Sequence, residues 1–352
     1  MSKTRIAING FGRIGRIFFR QAFGHPDLEV VAINDLGSPK NLAYLLKYDT
    51  VYGKYENSVE TVIRNDENYL VISSPPSPEA SEGRQNEILI LSEKNPGSLP
   101  WKQLDIDIVV EATGAFETSE KVMSHIDAGA KRVVITAPAK DDVTPTFTPN
   151  VRTQSLKSEK ITSNASCTTN SVNPVAAVMM ENPGIEKAVL NTIHGYTATQ
   201  GLVDGPDKKG DFRRARAAAQ NIVPSTTGAA ISTTKVISEL EGKFDGISLR
   251  VPVISGSIID FTFISKRNTT AEEINDIFKK AAKEKQWEGI LTVTDEPLVS
   301  SDILKNPHGS IVDLGMTKVI DGNLVKVLSW YDNEWGYGAM LLKHVLAVVQ
   351  LL

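Results

Sequence analysis

Arg5-Ile6-Ala7-Ile8-Asn9-Gly10-Phe11-Gly12-Arg13-Ile14-Gly15 stands near the start of the 352-residue chain and decides how its first half folds. Arg5 to Asn9 reads as a short buried strand, and a G-x-G-x-x-G turn follows at once. From Ile14 to Phe23 the apolar residues take helical spacing. Leu28 to Asn34 is a second strand with Asp35 at its end. Strand, glycine turn, helix, strand and acid, in that order, bind a dinucleotide. Gly10 and Gly12 let the backbone approach the pyrophosphate, which lies on the helix N-terminus. Asp35 can accept hydrogen bonds from both ribose hydroxyls of the adenosine. Its charge repels a 2'-phosphate, so NAD is favoured over NADP.

Outward from this core, Tyr52 to Leu91 changes to short alternating segments, which predicts antiparallel strands. Ser73 to Glu82 is polar and proline-rich and reads as a surface loop. Ile106 to Ala112 and Arg132 to Ile135 are apolar strands ending in Thr113 and Thr136. Ligands of open parallel sheets sit beyond the carboxyl ends of strands, so both threonines point toward the cofactor. In the second half, Lys187–Ile193, Gly246–Val253, Ser257–Ser265, Ile311–Ile320 and Leu324–Trp330 alternate as strands, and Ala271 to Lys285 is an amphipathic helix. The fold class is α/β: a Rossmann-type parallel-sheet domain plus an α+β catalytic domain with a mainly antiparallel sheet.

With 38 basic against 42 acidic residues, a net charge of -4, the chain has no electrostatic footprint for nucleic acid or an anionic membrane. The N-terminus runs straight into a strand without a signal-peptide core, and the apolar tail is too short to span a bilayer. A single cysteine cannot form an internal disulfide, which suits a reducing, cytoplasmic setting.

That cysteine, Cys167, lies in Ser163-Asn164-Ala165-Ser166-Cys167-Thr168-Thr169-Asn170. A packing cysteine has apolar neighbours; this one has small hydrogen-bonding residues and a helical run, Thr168 to Met180, behind it. Those surroundings favour a thiolate. Pro174 is expected to kink that helix or to confine its regular part to the residues beyond the proline. His194 ends a strand among threonines, whereas His25, His125, His308 and His344 show no comparable polar company. A Cys–His pair distant in sequence is what thiol catalysis needs. Pro224-Ser225-Thr226-Thr227-Gly228-Ala229-Ala230, at a helix start, suits phosphate, as do Arg213-Arg214-Ala215-Arg216. Arg250 sits in an apolar strand and needs an anionic partner if buried.

These stretches together resemble the phosphorylating glyceraldehyde-3-phosphate dehydrogenases. The resemblance rests on Ile8 to Arg16, Ala165 to Asn170, Arg213 to Arg216, Thr227 to Ala230 and Ser329-Trp330-Tyr331-Asp332-Asn333-Glu334-Trp335-Gly336-Tyr337, in family order along the whole chain. It implies an NAD-binding domain over residues 1–166, completed by a C-terminal helix over 333–352, around a catalytic domain at 167–332. It implies a homotetramer acting on glyceraldehyde 3-phosphate and inorganic phosphate. Cys167 would be the nucleophile and His194 its base. Ser166, Thr168, Thr227 and Gly228 would hold inorganic phosphate; Thr197, Arg214 and Arg250 would hold the substrate's phosphate. Gly10, Gly12, Arg13, Ile14, Asp35, Thr113, Thr136, Asn333 and Tyr337 would contact NAD, Asn333 orienting the nicotinamide amide.

Several positions depart from the family pattern. Ser171 replaces a second cysteine, Ile231-Ser232-Thr233-Thr234 a lysine-containing run, Gly338 a serine, and Lys94 an arginine that often touches the cofactor. Two rivals stand beside this reading: an erythrose-4-phosphate dehydrogenase of the same fold, and a non-enzymatic NAD-binding regulatory protein.

Overall fold

The computed structural model describes residues 3–74, 85–151, 156, 159–206 and 210–352. Nearly all of the proline-rich stretch from Ser73 to Glu82 lies outside them. The chain divides into two compact units. One comprises Met1–Pro145, Gln154–Asn164 and Leu341–Leu352; the other Thr146–Thr153 and Ala165–Met340.

The first unit is built on an eight-stranded sheet. Its strands are β1 (Thr4–Asn9), β2 (Leu28–Asn34), β3 (Ser58–Arg64), β4 (Glu67–Ser73), β5 (Gln85–Leu91), β6 (Ile108–Glu111), β7 (Arg132–Ile135) and β8 (Ile161–Ser163), in spatial order β3-β4-β5-β2-β1-β6-β7-β8. From β5 to β8 every pairing is parallel, while β3, β4 and β5 pair antiparallel. The antiparallel segments expected between Tyr52 and Leu91 therefore extend the parallel sheet through β5. The central strands are buried on both faces, as their unbroken apolar runs require. Helices α1 (Arg13–Ala22), α2 (Pro39–Lys47) and α3 (Ser119–Asp127) connect or flank them.

The second unit carries a seven-stranded sheet formed by β9 (Ile185–Gly195), β10 (Val223–Thr226), β11 (Phe244–Val251), β12 (Ser257–Ser265), β13 (Leu291–Thr294), β14 (Ser310–Ile320) and β15 (Leu324–Tyr331), in order β10-β11-β9-β12-β15-β14-β13. Only β9–β11 and β13–β14 are parallel pairs. Helices α4 (Cys167–Glu181), α5 (Ala229–Val236) and α6 (Ala271–Ala281) bury Val175, Met179, Ala230, Ile274 and Phe278 in one core with Phe261, Phe263 and Val327 of the sheet. A last helix, α7 (Trp335–Val349), belongs partly to each unit.

Two helix expectations change. Pro174 lies inside α4, which is regular from Cys167 onward, so the proline does not restrict the helix to its C-terminal part. The helix expected from Ala271 to Lys285 stops at Ala281. Thr270 caps its start by accepting from the Glu273 N–H, and Glu272, Glu273, Lys279 and Lys280 complement its dipole. Beyond Ala282 a short 3-10 turn at Lys285–Trp287 brings the buried Trp287 into the core.

Candidate active site

The second unit holds Cys167, the cysteine expected as the nucleophile. Ala165, at φ 55° in the left-handed region, precedes Ser166, whose hydroxyl caps α4 by accepting from the Thr169 N–H at 3.1 Å. Cys167 is thus the first residue of α4, where the helix dipole favours an anion. Its Sγ lies 3.3 Å from His194 Nε2. On the other side of the ring Arg250 Nη1 lies 2.7 Å from Nδ1. Strand register explains this line of three groups: β9 and β11 run parallel with Arg250 directly beside His194.

Two contacts compete for Nδ1. The Gly195 carbonyl, 2.6 Å away, can only accept and so needs a proton on Nδ1; the guanidinium can only donate and needs a lone pair there. Arg250 also donates to Gly195 O at 3.2 Å, so the guanidinium stands between two acceptors whenever Nδ1 is bare. Burial, aided by the Arg250 charge, pushes His194 down to about 3, with the Gly195 contact opposing. Burial pushes the Cys167 thiol up, while Arg250 and the Thr168 N–H pull it down. The favoured pair is therefore neutral thiol and neutral imidazole, poised for transfer of one proton.

Of the residues expected at phosphate, Thr168 follows Cys167 directly and the Arg214 charge reaches Arg250, while Thr197, Thr227 and Gly228 are held by local contacts. Tyr331 Oη sits between Thr168 Oγ1 at 2.9 Å and Thr192 Oγ1 at 2.8 Å, a buried chain of three hydroxyls. The sequence reading missed Tyr331 and Thr192. Thr227 Oγ1 accepts from the Ala229 N–H, and Gly228 is the N-cap of α5, which has no side-chain cap. Arg214 donates to Ser225 Oγ at 2.6 Å and pairs with Asp211, and its charge reaches Arg250. Thr197 Oγ1 meets Thr199 Oγ1 at 2.9 Å. A cavity of about 650 Å³ is lined by Thr199, Gln200, Gly201, Arg214 and Thr226.

Asn333 is fixed by donors on its carbonyl side. Gly256 N–H at 3.0 Å and Ser257 Oγ at 2.8 Å both give hydrogen bonds to Oδ1, which orients the Nδ2 amide as the free donating end. Tyr337 is buried and donates its hydroxyl to Ala165 O at 3.1 Å, so the structure uses it to hold the residue before the Ser166 cap.

In the first unit the test is whether the glycine turn can take a dinucleotide. Gly10 has φ 93°, and a Cβ there would lie 2.6 Å from Thr113 N, so only glycine fits. A Cβ at Gly12, the N-cap of α1, would meet nothing within 4 Å, and no side chain caps that helix. The first turn at Arg13 and Ile14 is thus open to an anion. The Arg13 guanidinium itself pairs with Asp49 and lies over Tyr52, which leaves its backbone for the cofactor. Asp35 accepts from Phe11 N–H and Gly37 N–H, both at 2.7 Å, and its carboxylate is held rigid. A cavity of about 470 Å³ is lined by Gly10, Gly12, Asp35, Leu36, Lys94 and Thr113 among others. Thr136 follows β7 and its N–H donates to Glu111 O at 3.0 Å. These residues fit an adenine dinucleotide.

Of the four histidines set aside in the sequence, His25 and His308 contact Asp27 and Asn306, two residues away, and the other two have polar partners as well. His125 contacts Glu111 and Trp101, and His344 contacts Thr162 and Asn164. Their partners are remote in sequence, so local composition carried no sign of them.

Comparison with known proteins gives a consistent result. The family model described as glyceraldehyde 3-phosphate dehydrogenase, NAD binding domain, matches residues 4–119, and that of the C-terminal domain matches residues 166–333. Glyceraldehyde-3-phosphate dehydrogenase 2 of Bacillus subtilis is 45% identical over 349 residues, covering 98% of this chain and 97% of its own. The Mycobacterium avium enzyme is 47% identical over 353 residues, 98% of each chain, and that of Zymomonas mobilis 45% over 337 residues, 95% of each.

Proposed function

Because the chain belongs to the glyceraldehyde-3-phosphate dehydrogenase family, we propose that Cys167 and His194 carry the oxidation of D-glyceraldehyde 3-phosphate and its phosphorylation to 1,3-bisphosphoglycerate. The activity is that of an NAD-dependent glyceraldehyde-3-phosphate dehydrogenase. The observation that carries the assignment of residues is the 3.3 Å contact of Sγ with Nε2, with Arg250 on the far side of the same ring.

Cys167 attacks the aldehyde carbon and forms a hemithioacetal, His194 taking the thiol proton and returning it to the carbonyl oxygen, which becomes the hydroxyl. Bound NAD supplies the acceptor for the hydride that leaves this carbon. His194 removes the hydroxyl proton, and the carbon is left as a thioester on Cys167. Inorganic phosphate then attacks the thioester, the acyl phosphate leaves, and the sulfur returns as thiolate. When Arg250 engages the substrate's phosphate, the competition for Nδ1 ends in favour of Nδ1–H donating to Gly195. The Nε2 lone pair then faces the sulfur, as a base requires.

We assign the substrate's phosphate to Arg250, Arg214 and Thr197, and inorganic phosphate to Ser166, Thr168, Thr227 and Gly228. The hydroxyl chain supports Thr168: with Thr192 donating to Tyr331 and Tyr331 to Thr168, the Thr168 proton remains for an anion. Gly10, Gly12, Arg13, Ile14, Asp35, Thr113 and Thr136 hold NAD, and Asn333 donates to the nicotinamide amide. The NAD-binding domain is taken as 1–166 with 333–352, and the catalytic domain as 167–332.

A homotetramer is proposed on exposed apolar side chains: Leu202 at 83%, Val203 at 72% and Phe212 at 88% exposure are what a second copy would cover. No helix of the described residues is long and apolar enough to cross a membrane. A reduced Cys167 is essential to the chemistry, and a cytoplasmic site of action is proposed on that ground. A steady-state assay with phosphate present and absent tests the reading. Strict phosphate dependence with glyceraldehyde 3-phosphate is expected; turnover by hydrolysis, with erythrose 4-phosphate preferred, would replace it with the rival dehydrogenase.

A further inference from the structure

We propose that Glu111 and His125 are positioning residues for the dinucleotide cradle, acting through a buried side-chain truss that ties together the ends of three strands. The inference rests on the NAD reading of the glycine turn. Glu111, the last residue of β6, is 1% exposed, and His125 of α3 is 0% exposed. Neither takes part in the chemistry above.

The protonation pattern follows from donors alone. Trp101 Nε1–H can only donate, and it points at His125 Nδ1 at 3.0 Å. Nδ1 is therefore the acceptor, and the proton sits on Nε2, which donates to Glu111 Oε2 at 3.1 Å. The 3.4 Å approach of Asn9 Nδ2 to that same nitrogen sets donor against donor and is not a hydrogen bond. Asn9 Nδ2 gives its hydrogen bond to Glu111 Oε2 at 2.6 Å. Glu111 Oε1 accepts from the Thr113 N–H at 2.9 Å and from the Thr113 hydroxyl. Four donors converge on one carboxylate, so the lone pairs of this buried group are satisfied on both oxygens.

The truss continues across the sheet. Asn9 Oδ1 accepts from Asn34 Nδ2 at 2.7 Å. Asn9, Asn34 and Glu111 are the final residues of the neighbouring strands β1, β2 and β6. Each is followed within two residues by a group assigned to the cofactor: Gly10, Asp35 and Thr113. The Glu111 carboxylate thus joins two of these ends directly and the third through Asn9. The Gly10 and Thr113 backbones already approach too closely for a Cβ, so a shift of Thr113 toward Gly10 would close the cradle. Fixing the spacing of the strand ends fixes the cradle.

Glu111→Gln tests this, because it keeps the shape while presenting an amide N–H₂ to two donors. NAD affinity, measured by calorimetry, is expected to weaken about tenfold, the loss of one charge-assisted hydrogen bond. The KM for NAD should rise in step, while kcat at saturating NAD and the KM for glyceraldehyde 3-phosphate stay within about twofold of the parent. A merely structural role would lower the melting temperature without this split. Titration of the parent protein separates the two readings. A parent that binds NAD upholds the cofactor assignment, and equal affinity in folded Glu111→Gln then overturns the truss alone. Should Glu111→Gln fail to fold, Trp101→Phe keeps an aromatic ring in the core but removes the far donor that sets the His125 tautomer. Weakened NAD binding in Trp101→Phe supports the truss, and unchanged binding overturns it.

Discussion

Replacing Arg250 by glutamine should make Cys167 more reactive toward an alkylating agent while making the enzyme slower. Arg250 acts on both members of the proposed catalytic pair with opposite signs. Its guanidinium touches the imidazole at 2.7 Å, whereas the sulfur lies on the far side of the ring. Taking charge centres about 4 Å apart for guanidinium and imidazolium, and about 8 Å apart for guanidinium and thiolate, an effective dielectric near 20 gives about 4 kcal/mol of repulsion and about 2 kcal/mol of attraction. Repulsion wins, so Arg250 disfavours the thiolate–imidazolium pair by about 2 kcal/mol. Removing its charge should raise the population of that pair roughly tenfold to thirtyfold. The assay is the rate of iodoacetamide alkylation at pH 7, free of phosphate and sulfate. The variant should react faster by about that factor, and turnover should fall because the substrate's phosphate loses its guanidinium. Slower alkylation in the variant would refute the reasoning. It would mean that the thiolate forms without passing its proton to His194, so that only the attraction to sulfur mattered.

Three further outcomes are expected. Gly10→Ala should destabilise the protein by at least about 1 kcal/mol, from a left-handed φ and a backbone clash, and should abolish measurable NAD binding; chemical denaturation and calorimetry check both parts. Asp35→Gly should lower the preference for NAD over NADP by roughly tenfold or more, as expected when a carboxylate facing a 2'-phosphate is removed, and the ratio of kcat/KM for the two cofactors measures it. Tyr331→Phe breaks the hydroxyl chain between Thr192 and Thr168. It should raise the KM for inorganic phosphate about tenfold with little change in the KM for NAD, and a phosphate titration reads it directly.

The local parts of the molecule were legible in the sequence. The glycine turn, the helix behind it and Asp35 lie within one short stretch, and β1, α1 and β2 follow the expected boundaries within a residue or two. Cys167 was singled out by its polar neighbours, and it does begin a helix. The partnerships that make the site work were hidden, because they are set by sheet register. Arg250 meets His194 only because β9 and β11 pair in parallel with those residues abreast. Glu111, His125 and Trp101 converge from a strand, a helix and a loop, and each alone looks like ordinary composition. Tyr331 carries two threonine hydroxyls from α4 and β9, which no spacing rule connects. The helix over Ala271–Ala281 stops short of Lys285, and the Trp287 that follows is buried in the core, a placement that periodicity does not show.

The most direct measurement of the central claim is mass spectrometry of the protein after glyceraldehyde 3-phosphate and NAD are added without inorganic phosphate. A phosphoglyceroyl adduct confined to the peptide bearing Cys167, and released as acyl phosphate once phosphate is supplied, is the predicted result. An unmodified Cys167 during active NAD reduction, or full turnover by Cys167→Ser, would contradict it.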